Sequence, residues 1–314
     1  MLSLENLYVS YGDVTVVQDV SLEVKKGEIV GIVGESGSGK STALASVLRL
    51  DPAASVTGGS IIFEGKDITV MEKKELRTVR GNDIAMIFQN AAMSMDPMKT
   101  IGHLFYETVY MHHPEMKKDA CFAQAKSLME RMRLQDTGRI LKSYPFEMSG
   151  GMCQRIAIAA AMMNHPKLIL ADEPTSALDV TAQAEVIRLM RLLRDDFGTS
   201  MLIVTHNMGV VAQLTDKVAV MYGGRIVEFG TTADVMENPA HPYTQALLRA
   251  VPRMDGTLPK GIAGMPPEFG KKIKGCVFAD RCCRARASCR DTMPGMQKFS
   301  ETHWTACNVT KEGV

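Results

Sequence analysis

Short apolar runs broken by turn residues open the chain. Over residues 1–30 the breaks fall at Tyr11-Gly12-Asp13 and Lys25-Lys26-Gly27, which predicts antiparallel strands. Glu28-Ile29-Val30-Gly31-Ile32-Val33 reads as a buried strand and residues 42–49 as a helix. A short strand pair is expected over 60–68 around Glu64-Gly65-Lys66, and a buried strand over Ile84-Ala85-Met86-Ile87-Phe88, ending at Gln89. From about 91 to 165 apolar residues recur at spacings of three and four, as around Leu128, Met129, Met132 and Leu134, so this stretch is predicted helical. Leu168-Ile169-Leu170-Ala171 is a fully apolar strand. Residues 181–197 form an amphipathic helix with Ile187, Met190 and Leu193 on one face, and Met201-Leu202-Ile203-Val204 is the next strand. Residues 218–221 and 225–228 flank Tyr222-Gly223-Gly224, a hairpin signal. Strands alternating with helices imply a parallel α/β core, with 91–165 as a helical subdomain.

After Val251 the texture changes. Residues 251–275 are rich in Pro, Gly and Lys and read as a linker, and 276–314 as a small cysteine-bearing tail. At 314 residues the chain is long enough for one large domain or two smaller ones. Lys and Arg (36) nearly balance Asp and Glu (35), so no global field calls for nucleic acid as a partner. The start, Met1-Leu2-Ser3-Leu4-Glu5, lacks a charged opening followed by an apolar stretch. The longest apolar run, around 156–163, falls far short of the ~20 residues that cross a bilayer. A cytoplasmic, water-soluble chain able to sit on a membrane partner is expected.

The chemistry concentrates at residues 34–41, Gly-Glu-Ser-Gly-Ser-Gly-Lys-Ser. Set between a strand and a helix, this is the phosphate-loop pattern. Glycines let successive backbone N–H groups point inward at phosphate oxygens, the helix offers its positive end, Lys40 adds a point charge, and Ser41 can ligate magnesium. The apolar strand at 168–171 delivers Asp172 and Glu173 at its C-terminal end, where open α/β sheets bind ligands. Asp172 can hold Mg²⁺ through water and Glu173 can polarise an attacking water. Ser149-Gly150-Gly151 before a helical run is either an anion site or a simple N-cap and turn.

The phosphate loop, Gln89, Ser149-Gly150-Gly151, Asp172-Glu173, Ser176-Ala177-Leu178-Asp179 and His206 follow one another in a fixed order. That order resembles the ATP-binding subunit of ATP-binding-cassette (ABC) transporters over roughly residues 1–250. The resemblance implies an α/β P-loop NTPase cassette: a RecA-like parallel sheet core, an antiparallel β subdomain and the helical subdomain, followed here by the Cys-rich extension. It implies that Tyr11 stacks on adenine. Gly34, Glu35, Ser36, Gly37, Ser38, Gly39, Lys40, Ser41 and Thr42 wrap the triphosphate of ATP. Ser41 and Gln89, with Asp172, serve Mg²⁺. Glu173 is the catalytic base, His206 meets the γ-phosphate, Asp179 organises the facing subunit, and Ser149, Gly150 and Gly151 bind the ATP held opposite.

Further stretches resemble one branch, the oligopeptide, dipeptide and nickel importers, and most nearly the first (D-type) of its two ATPase subunits: Ser149-Gly150-Gly151-Met152, Asp179-Val180-Thr181-Ala182-Gln183-Ala184, His241-Pro242-Tyr243-Thr244 and the tail Gly275-Cys276-Val277-Phe278, Arg281-Cys282, Cys289, Cys307. Departures are Met148, Cys153 and Asp96. The branch implies a second ATPase subunit, a paralogue or a second copy, two transmembrane permease subunits, an extracytoplasmic substrate-binding protein reached indirectly, no nucleic acid, and a peripheral place on the cytoplasmic face of the membrane. The cargo would be peptides, nickel or metal chelates.

Five of the seven cysteines lie in the last 39 residues, and five, six and seventeen residues separate Cys276, Cys282, Cys289 and Cys307. These are not the short paired spacings of a zinc finger. By resemblance they hold a [4Fe–4S] cluster, whose negative charge the seven Lys and Arg against one Asp over 271–290 would offset. Zinc, free thiols or disulfides stay open for the same residues, and Cys283 is spare by spacing. Twelve of 23 methionines lie between 86 and 163, which suits either an adaptable docking surface or core filling. The competing reading of the whole chain is a soluble ABC ATPase with a redox-sensing or zinc-binding tail, not engaged in transport.

Overall fold

In chain order the strands are β1 (Leu2–Tyr11), β2 (Val14–Val24), β3 (Ile29–Val33), β4 (Ala54–Phe63), β5 (Lys66–Asp67), β6 (Ile84–Ile87), β7 (Leu168–Asp172), β8 (Ser200–Thr205), β9 (Lys217–Tyr222), β10 (Arg225–Thr231), β11 (Gln297–Ser300) and β12 (His303–Thr305). The computed structural model describes residues 1–176, 178–251, 261–271 and 273–309. Ala177, the linker stretch 252–260, Lys272 and the last tail residues 310–314 lie outside the described residues. The chain divides into two units, one of residues 1–25, 29–70 and 204–314, the other of 26–28 and 71–203.

In the first unit, β2, β1, β4 and β5 form an antiparallel sheet in that order. Leu2, Leu4, Leu7 and Val9 of β1 are all buried, although strict alternation would turn the last two outward. The register shifts between Leu4 and Leu7, where Asn6 takes a left-handed conformation (φ +46°), and this bulge returns Leu7 and Val9 to the core. β4 begins at Ala54, well before the pair expected at 60–68, because its first half is a polar Ser, Thr and Gly stretch with no apolar signal.

Five further strands of this unit run β11–β12–β10–β9–β3. β3 is buried along its whole length and pairs parallel to β9, as strands of a parallel core do. β9 and β10 are the predicted hairpin, closed by Gly223 and Gly224, both at positive φ as a tight two-residue turn requires. The tail does more than trail behind the rest of the unit: β12 pairs antiparallel with β10, aligning Trp304 with Phe229, and β11 extends the edge. At four and three residues these strands are too short for a period to show in the sequence. Two contacts fix the tail. The buried Glu228 carboxylate meets His303 Nε2 at 2.7 Å and also accepts from the Ala240 and His241 amides, both at 2.7 Å. Phe278, 2% exposed, sits in an aromatic cluster, 5.2 Å from the Tyr222 ring and 5.3 Å from that of Tyr243; burying such a side chain stabilises by roughly 2–3 kcal/mol.

In the second unit β8, of which residues 200–203 belong here, β7 and β6 lie in that order, with β6 and β7 parallel from Ile84↔Leu168 to Ile87↔Ala171. β6 ends one residue short of the expected strand: Phe88 is 47% exposed. The helices Ile101–Tyr110, Lys118–Arg131 and Gly150–Ala161 pack on one another through Phe105, Ala125, Met129 and Ile156. The methionines divide between the two expected uses: Met129, Met132, Met162 and Met163 are core, while Met93, Met98 and Met111 stand exposed. Asp179 caps the helix Val180–Phe197 by accepting from the Ala182 amide at 2.9 Å, and Gly198 ends it. Among the described residues no helix is long and apolar enough to cross a membrane.

Candidate nucleotide site

β3 ends at Val33, and six residues separate it from the helix Lys40–Val47. The turn between them is tight enough that a Cβ on Gly34 would lie 2.1 Å from the Met221 carbonyl oxygen, so only glycine fits. Lys40, 6% exposed, folds its ammonium back onto the loop, donating to the carbonyls of Gly34 (2.9 Å) and Glu35 (2.8 Å) and to Ser38 Oγ (3.4 Å). The Ser38 amide donates to the Glu35 carbonyl at 3.2 Å, and the Glu35 amide to the Tyr243 hydroxyl at 2.8 Å. The loop is a closed ring with a cation at its centre. Ser36, Gly37 and Ser41 face solvent around it, and Gly39 and Thr42 complete it. Tyr11, half-buried at the end of β1, turns its hydroxyl toward Thr42 and Asp51 beside this helix; burial raises its phenol above the ordinary value. His206 lies exposed just after β8, in the same unit as the loop.

The second unit carries the acidic group. Asp172 is the half-buried last residue of β7. Glu173, 8% exposed, follows at φ +49°, a left-handed backbone that a residue with a Cβ adopts only under local constraint. Ser176 links two predicted site residues here: its amide donates to the Glu173 carbonyl at 3.0 Å and its hydroxyl to the Gln89 carbonyl at 3.1 Å. The exposed Gln89 side chain is thus on a loop tied to the acidic turn. Ser149, Gly150, Gly151 and Asp179 come together around an open cleft of about 630 Å³, also lined by Arg155 and Glu185. Ser149 Oγ caps the helix Gly150–Ala161 by accepting from the Met152 amide at 3.3 Å, so the N-cap reading of this stretch holds. Cys153 is core: its thiol reaches the Pro145 carbonyl at 3.6 Å.

The tail cysteines converge without forming a ligand set as placed. None of the seven is in a disulfide. Burial pushes the Cys276 thiol up to about 11, with Cys307, Cys282 and Cys289 adding to the rise, and burial also raises Cys282. The Arg284 and Arg286 amides donate to Cys282 Sγ and Cys289 Sγ, each at 3.4 Å. Yet among the described residues no group of three or more His, Cys, Asp or Glu side chains is arranged to hold a metal ion, so the arrangement itself does not support a [4Fe–4S] centre. The convergence and the metal geometry point different ways; the electrostatics show proximity alone.

Sequence reasoning missed the loop's supports, Tyr243, Tyr222 and Arg281. Arg281 was one of seven cations read as a field around the cysteines, but it pairs with Glu35, with Nη1 2.6 Å from Oε2 and Nη2 3.1 Å from Oε1. The Arg281-Cys282 pair was the only signal available, and nothing in it names a partner 246 residues away.

Two family models match the chain, ABC transporter over residues 17–176 and oligopeptide/dipeptide transporter, C-terminal region, over 227–289. This chain belongs to the ABC transporter ATP-binding family. The dipeptide transport ATP-binding protein DppD of Bacillus subtilis is 42% identical over 98% of this chain and 94% of its own length. The oligopeptide transport ATP-binding protein OppD of Salmonella typhimurium is 41% identical over 98% and 93%. A dimeric structure of the bacterial ABC transporter cassette MJ0796 superposes with a TM-score of 0.67 at 27% identity, covering 74% of this chain and 99% of that one. The fold is the ABC cassette and the protein an ABC ATPase, the ATP-binding subunit of an ABC transporter.

Proposed function

We propose that this ABC ATPase binds Mg-ATP on residues 34–42 and hydrolyses it with Glu173 as general base, energising import of peptides through two membrane permease subunits. The observation that carries the reading is Lys40: a buried ammonium held on the Gly34 and Glu35 carbonyls at the mouth of a strand–helix junction. A lysine ammonium and inward-facing backbone amides at a strand–helix turn are the donor set that a triphosphate would accept from. Ser41, Gln89 and Asp172 offer hard oxygen donors, which suit magnesium, and when bound the ion would neutralise charge on the phosphates. Tyr11 would carry the adenine and His206 the γ-phosphate. Glu173 would orient and deprotonate water. The open cleft of Ser149, Gly150, Gly151 and Asp179 would receive the ATP of a second ATPase subunit, a paralogue or a second copy.

Peptides are the cargo favoured by the relatives' names, over nickel or metal chelates. The protein would sit peripherally on the cytoplasmic face of the membrane, with a substrate-binding protein acting from the other side; the exposed Met93, Met98 and Phe88 would suit contact with the permease subunits. Residues 1–250 would be the ATPase, with the tail an appended module. For the tail, Cys276, Cys282, Cys289 and Cys307 would be the thiol donors of a [4Fe–4S] cluster by the chemistry of the donor set alone, since as placed they form no ligand group.

Assembled with its permeases in vesicles, the protein should hydrolyse Mg-ATP in step with peptide uptake, and Lys40→Ala should lose both. Uptake without hydrolysis, or hydrolysis unaffected by Lys40→Ala, would refute the reading. Purified without oxygen, the protein should be brown; a colourless protein with one zinc per chain would remove the cluster.

A further inference from the structure

Glu35 is an oddity in an anion-binding loop, because a carboxylate there opposes the ligand by Coulomb repulsion. Each of its polar groups is nonetheless occupied. Its amide donates to Tyr243, its carbonyl accepts from Lys40 Nζ and the Ser38 amide, and its carboxylate takes the two-pronged grip of Arg281. Arg281 is built for that one task. Its side chain is 5% exposed, and its five N–H donors are matched by five bonds: two to Glu35, one to the Tyr222 hydroxyl at 3.1 Å, one to the Ile262 carbonyl at 3.1 Å and one to the Ala263 carbonyl at 2.9 Å. Its guanidinium also lies over the Tyr222 ring, 5.7 Å from the centroid. The residue ends the short turn Ala279–Arg281, just after the buried Phe278 and just before Cys282.

We propose that Arg281, supplied by the C-terminal extension, is a positioning residue of the nucleotide site: it cancels the charge of Glu35 and clamps the loop that folds around Lys40. The extension thereby sets the affinity of the ATPase for nucleotide. The inference rests on residues 34–42 being the ATP site.

Titration calorimetry of the full chain with Mg-ADP tests it without turnover. Arg281→Ala should bind roughly tenfold more weakly, within the range of ordinary coupling between sites. Arg281→Lys, which keeps the charge and loses the fork, should bind with a smaller loss. Adding Glu35→Gln to Arg281→Ala should recover most of the affinity, because the uncompensated carboxylate is then gone; a purely structural role for Arg281 predicts no such rescue. Parent-like binding by Arg281→Ala, or a loss that Glu35→Gln leaves untouched, would overturn the proposal. Should Arg281→Ala fail to fold, Arg281→Lys decides, read by amide exchange at residues 34–39 in the nucleotide-free chain. Faster exchange at an unchanged melting temperature supports the clamp, and unchanged exchange refutes it. If the parent chain itself takes up no Mg-ADP, the ATP reading falls and this inference with it, a result visible in the parent alone.

Discussion

The phosphate loop and the Ser149-Gly150-Gly151 cleft are both glycine-bearing helix starts, yet they are built in opposite ways. Around the loop a missing Cβ is a necessity, since one on Gly34 would collide with the Met221 carbonyl, and Lys40, Tyr243 and Arg281 hold the remaining backbone and charge. Around the cleft glycine leaves room: a Cβ on Gly151 would meet Ala182 at an ordinary 3.5 Å, one on Gly150 would meet Leu178 at 4.0 Å, and Ser149 makes only its own helix cap. One region is tightly built and the other an open surface, a contrast that fits the proposed roles of the loop in holding its own ATP and of the cleft in meeting that of a second subunit. Preorganisation lowers the cost of binding, while openness lets two bodies meet and part.

The largest expected effect belongs to the acidic turn at Asp172-Glu173, to which the proposed function assigns the general base. Glu173→Gln should reduce ATP turnover in the assembled transporter by about 10²–10⁴-fold, the usual weight of a general base, while nucleotide binding persists. Steady-state phosphate release at the parental rate would remove Glu173 from its role.

Next in size, the two glycines can be exchanged against each other. Gly34→Ala forces a Cβ into backbone at 2.1 Å and should cost several kcal/mol of stability, at the large end for single substitutions, read as a fall in melting temperature. Gly151→Ala should leave the melting temperature equal or higher, since alanine favours the helix by up to ~1 kcal/mol, while turnover in the assembled transporter falls. Equal destabilisation by both would erase the contrast.

A third test bears on the loop's supports through pH. His241 Nδ1 accepts from the Tyr243 amide at 3.1 Å, at the head of the helix that brings the Tyr243 hydroxyl to the loop. Burial lowers this imidazole to about 4. Its folded value lies below its unfolded one, so the unfolded chain binds the extra proton. This contribution to stability is present above about pH 6.5 and is lost as the pH falls toward 4, by roughly 3 kcal/mol in all. His241→Asn, which can still cap the helix, should flatten the stability slope across that window; an unchanged slope between parent and variant would contradict the assignment.

The smallest effect belongs to the cleft. Ser149→Ala removes one cap and should cost about 1 kcal/mol, measured by urea denaturation. A much larger loss would mean that the cleft is as tightly built as the loop.

Much of this protein was legible one residue at a time. Residues 34–41 carry the phosphate-loop pattern because its chemistry needs glycine, lysine and a hydroxyl at fixed spacing, and the apolar run 168–171 predicted the strand β7 that ends at Asp172. Local order of this kind is written in consecutive residues. The bulge at Asn6, the left-handed Glu173, the strands that the tail adds beside β10 and the grip of Arg281 on Glu35 were not readable. Each depends on residues that are neighbours only in the folded chain. Periodicity records which face of an element is buried, but it carries no record of what that face, or a single buried cation, will meet.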